Sequence, residues 1–258
     1  MDSSPESSGT QTVSRAISIL RAIATKHSTG LRLVDIARIT GLSSPTVLRI
    51  LNTLINEGMV SRRNGSHCYL LGALVFELGL AAAHNFNLRE ICRPALQRLA
   101  ERTGDTSFLF VRNGNDSVCL DRMQGTFPIQ TPLVPIGSRQ PLGVNAGGLA
   151  LLSSLSDSDA KAVINDVATR LDAYNNFDRN ELLRLRAQAR KQGYALIGNK
   201  AVPGVTAIGL PIYSRSGDVA IGAVTIATTS SRMNEGRITQ MLPHLRNTAE
   251  EISGLLQQ

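Results

Sequence analysis

Residues 33–69 restrict the folds open to this chain more than any other stretch. Leu33, Ile36 and Ala37, with Ile39 beside them, recur at helical spacing until Gly41, the residue type suited to a left-handed C-terminal cap. Leu42 then offers an apolar plug. Ser43 or Ser44 stands in cap position for a following helix, with Pro45 in its first turn, where a missing N–H costs nothing. Val47, Ile50, Leu51 and Leu54 mark that helix's buried stripe, leaving Thr46, Leu48, Arg49, Asn52 and Thr53 on the other face. Residues 59–63 and 67–71 read as two short strands joined by Asn64-Gly65, the strongest hairpin dipeptide. A preceding helix over residues 12–24 carries Val13, Ala16, Ile17, Leu20, Ile23 and Ala24 as its apolar stripe. Helix, glycine turn, capped helix and hairpin together make a winged helix-turn-helix.

A helix that enters the major groove needs short polar groups near its N-terminus to reach base edges, and cations to meet phosphates. Ser43, Ser44, Thr46, Val47, Arg49 and Asn52 are the candidate DNA-contacting residues of the second helix, and Arg62, Arg63 and His67 those of the wing. Charge points the same way. Between residues 11 and 71, Arg15, Arg21, Lys26, Arg32, Arg38, Arg49, Arg62 and Arg63 stand against Asp35 and Glu57 alone, so most of the net charge of +7 sits in the first quarter of the chain. Protein-interaction modules also use three helices and a glycine turn. Salt-dependent DNA binding separates the two readings, because neutralising phosphates releases counterions.

A chain of 258 residues exceeds one ordinary domain. The expected division is a disordered N-terminus over residues 1–10, the winged helix-turn-helix over 11–71, an apolar linker helix and dimer seam over 72–86, and a second domain over 87–258. The seam is expected because a reader of paired half-sites must itself pair. In the second domain, helical patterns cover residues 88–102, 146–154, 157–170, 179–192 and 235–256. Strand-like runs cover 106–111, 117–121, 127–134, 194–197, 205–213 and 219–227, with turns at Asn113-Gly114 and Ser216-Gly217. Interleaved strands and helices define an α+β sheet domain.

Several chemistries lack their residues. Cys68, Cys92 and Cys119 are odd in number and widely spaced, and His27, His67, His84 and His244 are scattered, so no disulfide framework or metal site is expected. The glycines over 143–148 resemble a phosphate loop only superficially, since Leu149-Ala150 replace the required Lys-Ser/Thr. No catalytic constellation and no cofactor are expected. The Ser-rich start has no apolar core, and the apolar run over 71–83 contains Glu77 and is too short to span a bilayer; a cytoplasmic protein without a membrane partner is expected.

The segment Ala37-Arg-Ile-Thr-Gly-Leu-Ser-Ser-Pro-Thr-Val-Leu-Arg-Ile-Leu-Asn-Thr-Leu-Ile-Asn-Glu-Gly, followed by Tyr69-Leu-Leu-Gly and Leu78-Gly79, resembles the IclR family of bacterial transcriptional regulators. The likeness extends through Pro135-Ile-Gly-Ser-Arg-Gln-Pro-Leu, Arg190-Lys-Gln-Gly-Tyr-Ala and Gly204-Val-Thr-Ala-Ile-Gly-Leu-Pro-Ile. This resemblance implies a GAF-like six-stranded antiparallel sheet domain flanked by helices, holding a small organic effector. It also implies a homodimer or homotetramer on double-stranded operator DNA. Carried over residue by residue, the effector site comprises Ile129, Pro132, Gln140, Asn145, Ala146, Gly147, Ile197, Val205, Ala207, Thr225 and Ala227, with Gln140, Asn145 and Thr225 as polar handles. Pro45 and Leu48 stand where relatives often carry Ser and His or Tyr, and the chain lacks the His and Lys of the family's Pro-Leu-His-Ala-Thr-Ala-x-Gly-Lys-Ala run. Operator sequence and pocket chemistry are therefore expected to be its own. The alternative from another class is a bifunctional protein whose C-terminal domain is an enzyme.

Overall fold

The computed structural model describes residues 8–26, 29–62, 66–83, 88–132, 134–174, 177–213 and 220–255. Of the stretch expected to be disordered, residues 1–10, the first seven lie outside them, as do the wing tip at Arg63-Asn64-Gly65, His27, His84 and the Ser216-Gly217 turn; residues 8–10 correct that expectation, since they begin the first helix. Two compact units divide the chain, residues 1–86 and 87–258.

In the first unit, helices α1 (Ser8–Ala24), α2 (Leu33–Thr40) and α3 (Ser44–Asn56) enclose one core, closed by strands β1 (Leu31–Arg32), β2 (Val60–Arg62) and β3 (Cys68–Leu71) in the antiparallel order β1-β3-β2. The turn between α2 and α3 depends on Gly41, whose φ of 68° caps α2 in the left-handed region. The expected stripe on α1 needs correction. Ile19, Ala22 and Ile23 enter the core, while Val13 and Ile17 stay exposed. On a helix this apolar, two adjacent stripes compete, and the one that meets α2 and α3 is buried. Ile39 is also exposed, because the last turn of α2 rotates it off the Leu33–Ile36–Ala37 face. Helix α4 (Ala73–Ala83) closes the unit with Phe76, Leu78 and Leu80 exposed.

The second unit is built on a six-stranded antiparallel sheet, β6-β5-β4-β9-β8-β7, from β4 (Thr106–Asn113), β5 (Asp116–Met123), β6 (Arg139–Pro141), β7 (Ala195–Gly198), β8 (Val205–Tyr213) and β9 (Ala220–Thr229). Helices α5 (Leu88–Thr103) and α9 (Glu235–Leu255) cover one face, packing on Leu109, Ile208, Leu210, Val224 and Ile226. Helices α6 (Ala146–Ser154), α7 (Asp157–Val167) and α8 (Arg179–Gln192), with a 3-10 segment Ala168–Ala173 after α7, form the other layer. The helical pattern expected to run through Arg170 thus tightens after Val167. The buried carboxylate of Asp105 joins the end of α5 to the start of α9 through Arg232 at 2.8 Å and Arg237 at 2.9 Å.

The expected strand over 127–134 does not form among the described residues. Pro128 and Pro132 remove ladder donors, and the place at the sheet edge goes to β6 instead. Residues 124–132 run as an irregular strap anchored by Gln130. Its amide donates to the Gly104 carbonyl at 2.9 Å and the Phe127 carbonyl at 2.5 Å, and its oxygen accepts from Thr106 Oγ1 at 2.9 Å and the Gly125 N–H at 3.1 Å.

Nothing lies within 4 Å of a Cβ built on Gly41, so Gly41→Ala tests backbone conformation alone. The expected loss is about 1 kcal/mol, the cost of a left-handed L-residue, measured by denaturant unfolding of the first unit.

Candidate functional sites

The exposed side of α3 presents Ser43, Ser44, Arg49 and Asn52, with Thr46 half-buried at its edge. Ser43 occupies the N-cap position, yet its hydroxyl lies 2.9 Å from Thr46 Oγ1 and caps no backbone N–H. That pairing orients both hydroxyls at the helix start. The Arg49 guanidinium has no partner among the described residues, so all its donors remain free for an acceptor outside the chain. Val47 must be removed from the contact set. It is fully buried, because positions 47, 50, 51 and 54 form one inward stripe. On the wing base, Arg62 Nη2 donates to His67 Nδ1 at 3.0 Å, and the Arg62 guanidinium stands 5.8 Å from the centre of the Tyr69 ring. The sheet thus brings Arg62 and His67 together; Arg63 lies outside the described residues.

In the second unit, a cavity of about 60 Å³ opens between the sheet and the start of α6. Asn145, Ala146, Ile197, Val205, Ala207, Thr225 and Ala227 line it, as does a set the sequence reading missed: Phe108, Phe110, Thr131, Val134, Val144, Ala201 and Val202. Alternation along β4 sends Phe108 and Phe110 to this face and Leu109 to the other, and the two rings stack with centroids 5.9 Å apart. Two aromatic residues at a spacing of two in a strand were the signal available for finding them.

Four expected residues sit elsewhere. Ile129 is 58% exposed, since the proline-broken strap turns it outward and Thr131 fills the wall instead, its hydroxyl donating to the Ala227 carbonyl at 3.0 Å. Pro132 is half-buried outside the lining, and its carbonyl accepts from Arg122 Nη1. Gly147 packs under the Phe110 ring, so closely that a Cβ there would overlap it. Gln140 stands behind the wall and accepts from Asn145 Nδ2 at 2.7 Å.

Asn145 is fully engaged. Its second amide bond goes to Ser117 Oγ at 2.9 Å, and its oxygen caps α6 by accepting from the Gly148 N–H at 2.6 Å. Thr225, 2% exposed, makes no hydrogen bond through its hydroxyl within the described residues. Among the described residues no ionisable side chain lines the cavity. The wall segment carrying Ala201 and Val202 is tethered from outside, where Lys200 Nζ lies 2.7 Å from Glu181 Oε1 and Arg184 Nε 2.7 Å from Glu181 Oε2. Hydrogen bonding from Arg184, aided by Lys200, lowers the Glu181 carboxyl to about 2. Burial pushes the thiol of Cys119, across from Phe110 on β5, up to about 12, and that of Cys92 on α5 likewise. Among the described residues no cluster of His, Cys, Asp and Glu could hold a metal, and no helix is long and apolar enough to cross a membrane.

A winged helix with an exposed polar face, in one chain with a sheet domain that holds an apolar cavity, defines a helix-turn-helix regulator of transcription. The model of the bacterial transcriptional regulator IclR C-terminal domain matches residues 80–254, and that of the IclR helix-turn-helix domain residues 12–64. The chain belongs to the IclR family. HTH-type transcriptional regulator BhcR of Paracoccus denitrificans is 30% identical over 251 residues, 96% of this chain and 88% of that protein. HTH-type transcriptional repressor AllR of Escherichia coli K12 is 30% identical over 251 residues, 96% and 91% of the two chains. The crystal structure of an IclR regulator from Silicibacter sp. TM1040 shares the fold with a TM-score of 0.77 at 23% identity, over 96% of this chain and 97% of that one. An IclR homologue from Microbacterium hydrocarbonoxydans, solved in complex with 4-hydroxybenzoate, gives 0.72 at 23% over 95% and 98%. Both family models describe regulators, so the reading of the second unit as an enzyme loses its support.

Two outcomes check this geometry. Because the Glu181 pKa is depressed on folding, its contribution is complete above its ordinary value near 4.5 and is lost as pH falls towards 2. Glu181→Gln is therefore expected to destabilise the protein at pH 7, by on the order of 1 kcal/mol for an ion pair near the surface, and by less than half as much at pH 3, as read by denaturant unfolding. With a thiol reagent at pH 8, half-exposed Cys68 should react in the native protein, and Cys92 and Cys119 only after unfolding.

Proposed function

We propose that two or four copies of this chain bind a paired-site operator in double-stranded DNA, and that a small organic effector in the sheet-domain cavity changes that binding. The observation that carries the DNA reading is the exposed face of α3, where Arg49 is unpartnered beside Ser43, Ser44, Thr46 and Asn52. A helix of this kind reads base edges from its N-terminal half, while Arg62, His67 and Arg63 at the wing meet phosphates. Pairing is supported by α4, whose Phe76, Leu78 and Leu80 are apolar and exposed, and by Val13 and Ile17 on α1. A reader of half-sites needs a self-complementary surface, and these side chains supply one.

Control by a small molecule is supported by the cavity itself and by the related fold that binds 4-hydroxybenzoate in the Microbacterium protein. The effector acts by binding one arrangement of the dimer better than another, which shifts half-site spacing. In this reading the protein works in the cytoplasm and catalyses no reaction.

Arg49→Ala is expected to weaken operator binding by ~1–3 kcal/mol and to leave the oligomer intact. Gel mobility shift and light scattering check the two halves; an unaltered operator affinity would remove Arg49 from the reading face. Wild-type affinity should fall steeply with salt, as phosphate neutralisation requires.

A further inference from the structure

The exposed face of α3 has two flanks, and only one of them is polar throughout. Opposite the buried stripe of Val47, Ile50, Leu51 and Leu54, the residues Pro45, Arg49 and Asn52 point directly away from the core. On one flank stand Thr46 and Thr53, whose hydroxyls are committed within the chain: Thr46 Oγ1 lies 2.9 Å from Ser43 Oγ, and Thr53 Oγ1 donates to the Arg49 carbonyl at 3.3 Å. On the other flank stand Ser44 and Leu48. Leu48 is 42% exposed and lies outside the core of the first unit. An exposed leucine alone decides nothing. Its surroundings decide more. Helical spacing places Leu48 one turn from Ser44, Pro45 and Asn52 and beside Arg49, so an apolar branch stands among the groups proposed above to read DNA.

Duplex DNA has an apolar group to meet it. Of the four bases, thymine alone carries a C5-methyl group into the major groove, and an apolar side chain selects it by shedding water rather than by a hydrogen bond. A leucine side chain has no donor or acceptor, so this is the base-edge feature it can tell apart. Pro45, three residues earlier, extends the apolar surface towards the helix start. The charge of the unit suits the same partner. Arginine and lysine outnumber Asp35 and Glu57 over residues 11–71. The Arg49 guanidinium, without a partner among the described residues, is open to a phosphate or a guanine edge beside the methyl group. A protein surface also offers apolar groups, but not the polyanion that this excess of cations fits.

We propose that Leu48, on the reading above that α3 enters the major groove, selects a thymine at one position of each operator half-site through its C5-methyl group.

The test uses the full chain. A tightly bound duplex is drawn from a random-sequence pool, and each thymine of its half-sites is replaced in turn by 2′-deoxyuridine, which removes the methyl group and leaves the pairing intact. Affinities are read by gel mobility shift at one salt concentration. With the wild type, one replacement per half-site is expected to weaken binding about fourfold, the worth of one methyl group taken out of water. Leu48→Ala should bind the thymine duplex more weakly than the wild type does, and should bind it and the deoxyuridine duplex alike. Leu48→Met, apolar and of similar volume, should keep the difference. Because Leu48 lies outside the core, both variants are expected to fold, which their melting curves report. Methyl loss felt equally by the wild type and Leu48→Ala, or by neither, overturns the proposal, as does a selected duplex with no thymine common to its half-sites. In those cases α3 remains the DNA reader if Arg49→Ala still weakens binding. A pool from which no duplex is enriched, or an affinity indifferent to salt, overturns the DNA reading and this proposal together.

Discussion

Strand alternation in β4, β8 and β9 governs most of the second unit. Leu109, Ile208, Leu210, Val224 and Ile226 point into the α5–α9 layer, and that burial fixes the register of the three central strands. The intervening positions then have no freedom of direction. Phe108, Phe110, Ala207, Thr225 and Ala227 must face α6, whether or not they fill the space there. They do not fill it, and the cavity is the result. A one-residue slip would exchange the two sets and bury the threonines among the leucines.

The first unit obeys a similar economy on a helical period. The same spacing that buries Val47, Ile50, Leu51 and Leu54 leaves Arg49 and Asn52 outside, so core and exposed polar face of α3 are set together. The left-handed cap at Gly41 decides where that helix begins. The hydroxyl pair of Ser43 and Thr46 adds a polar edge at its start without closing it by a backbone cap.

Much of this was legible from residues alone where the signals are local. Gly41, Pro45 and the apolar stripes place α2 and α3 within a residue or so, and helix α8 and strand β8 fall where the patterns put them. The misreadings arise where distant parts of the chain decide the outcome. Nothing near Val13 or Ile17 says which of two apolar stripes on α1 will meet the other helices. The run over 127–134 looked like a strand, but its prolines and the Gln130 anchor to Gly104 and Thr106 make it a strap. For the cavity, the resemblance supplied half of the lining, and the phenylalanines that floor it were missed because β4 pairs with β9 across more than a hundred residues. The polar handles were misjudged for a related reason: Gln140 and Asn145 satisfy each other, which no reading of either alone reveals.

The cavity walls have a consequence for how such a regulator changes over time. Ala146, Ala207 and Ala227 leave room because each side chain ends at its one methyl group, whereas the hydrogen-bond ladder and the opposite helix layer keep the strands in place. If the cavity is the effector site proposed above, ligand preference can drift by single small substitutions on one side of the sheet while the other side carries the stability. Cavity wall and stabilising core are written on alternate residues of the same strands, and selection can edit one with little disturbance to the other.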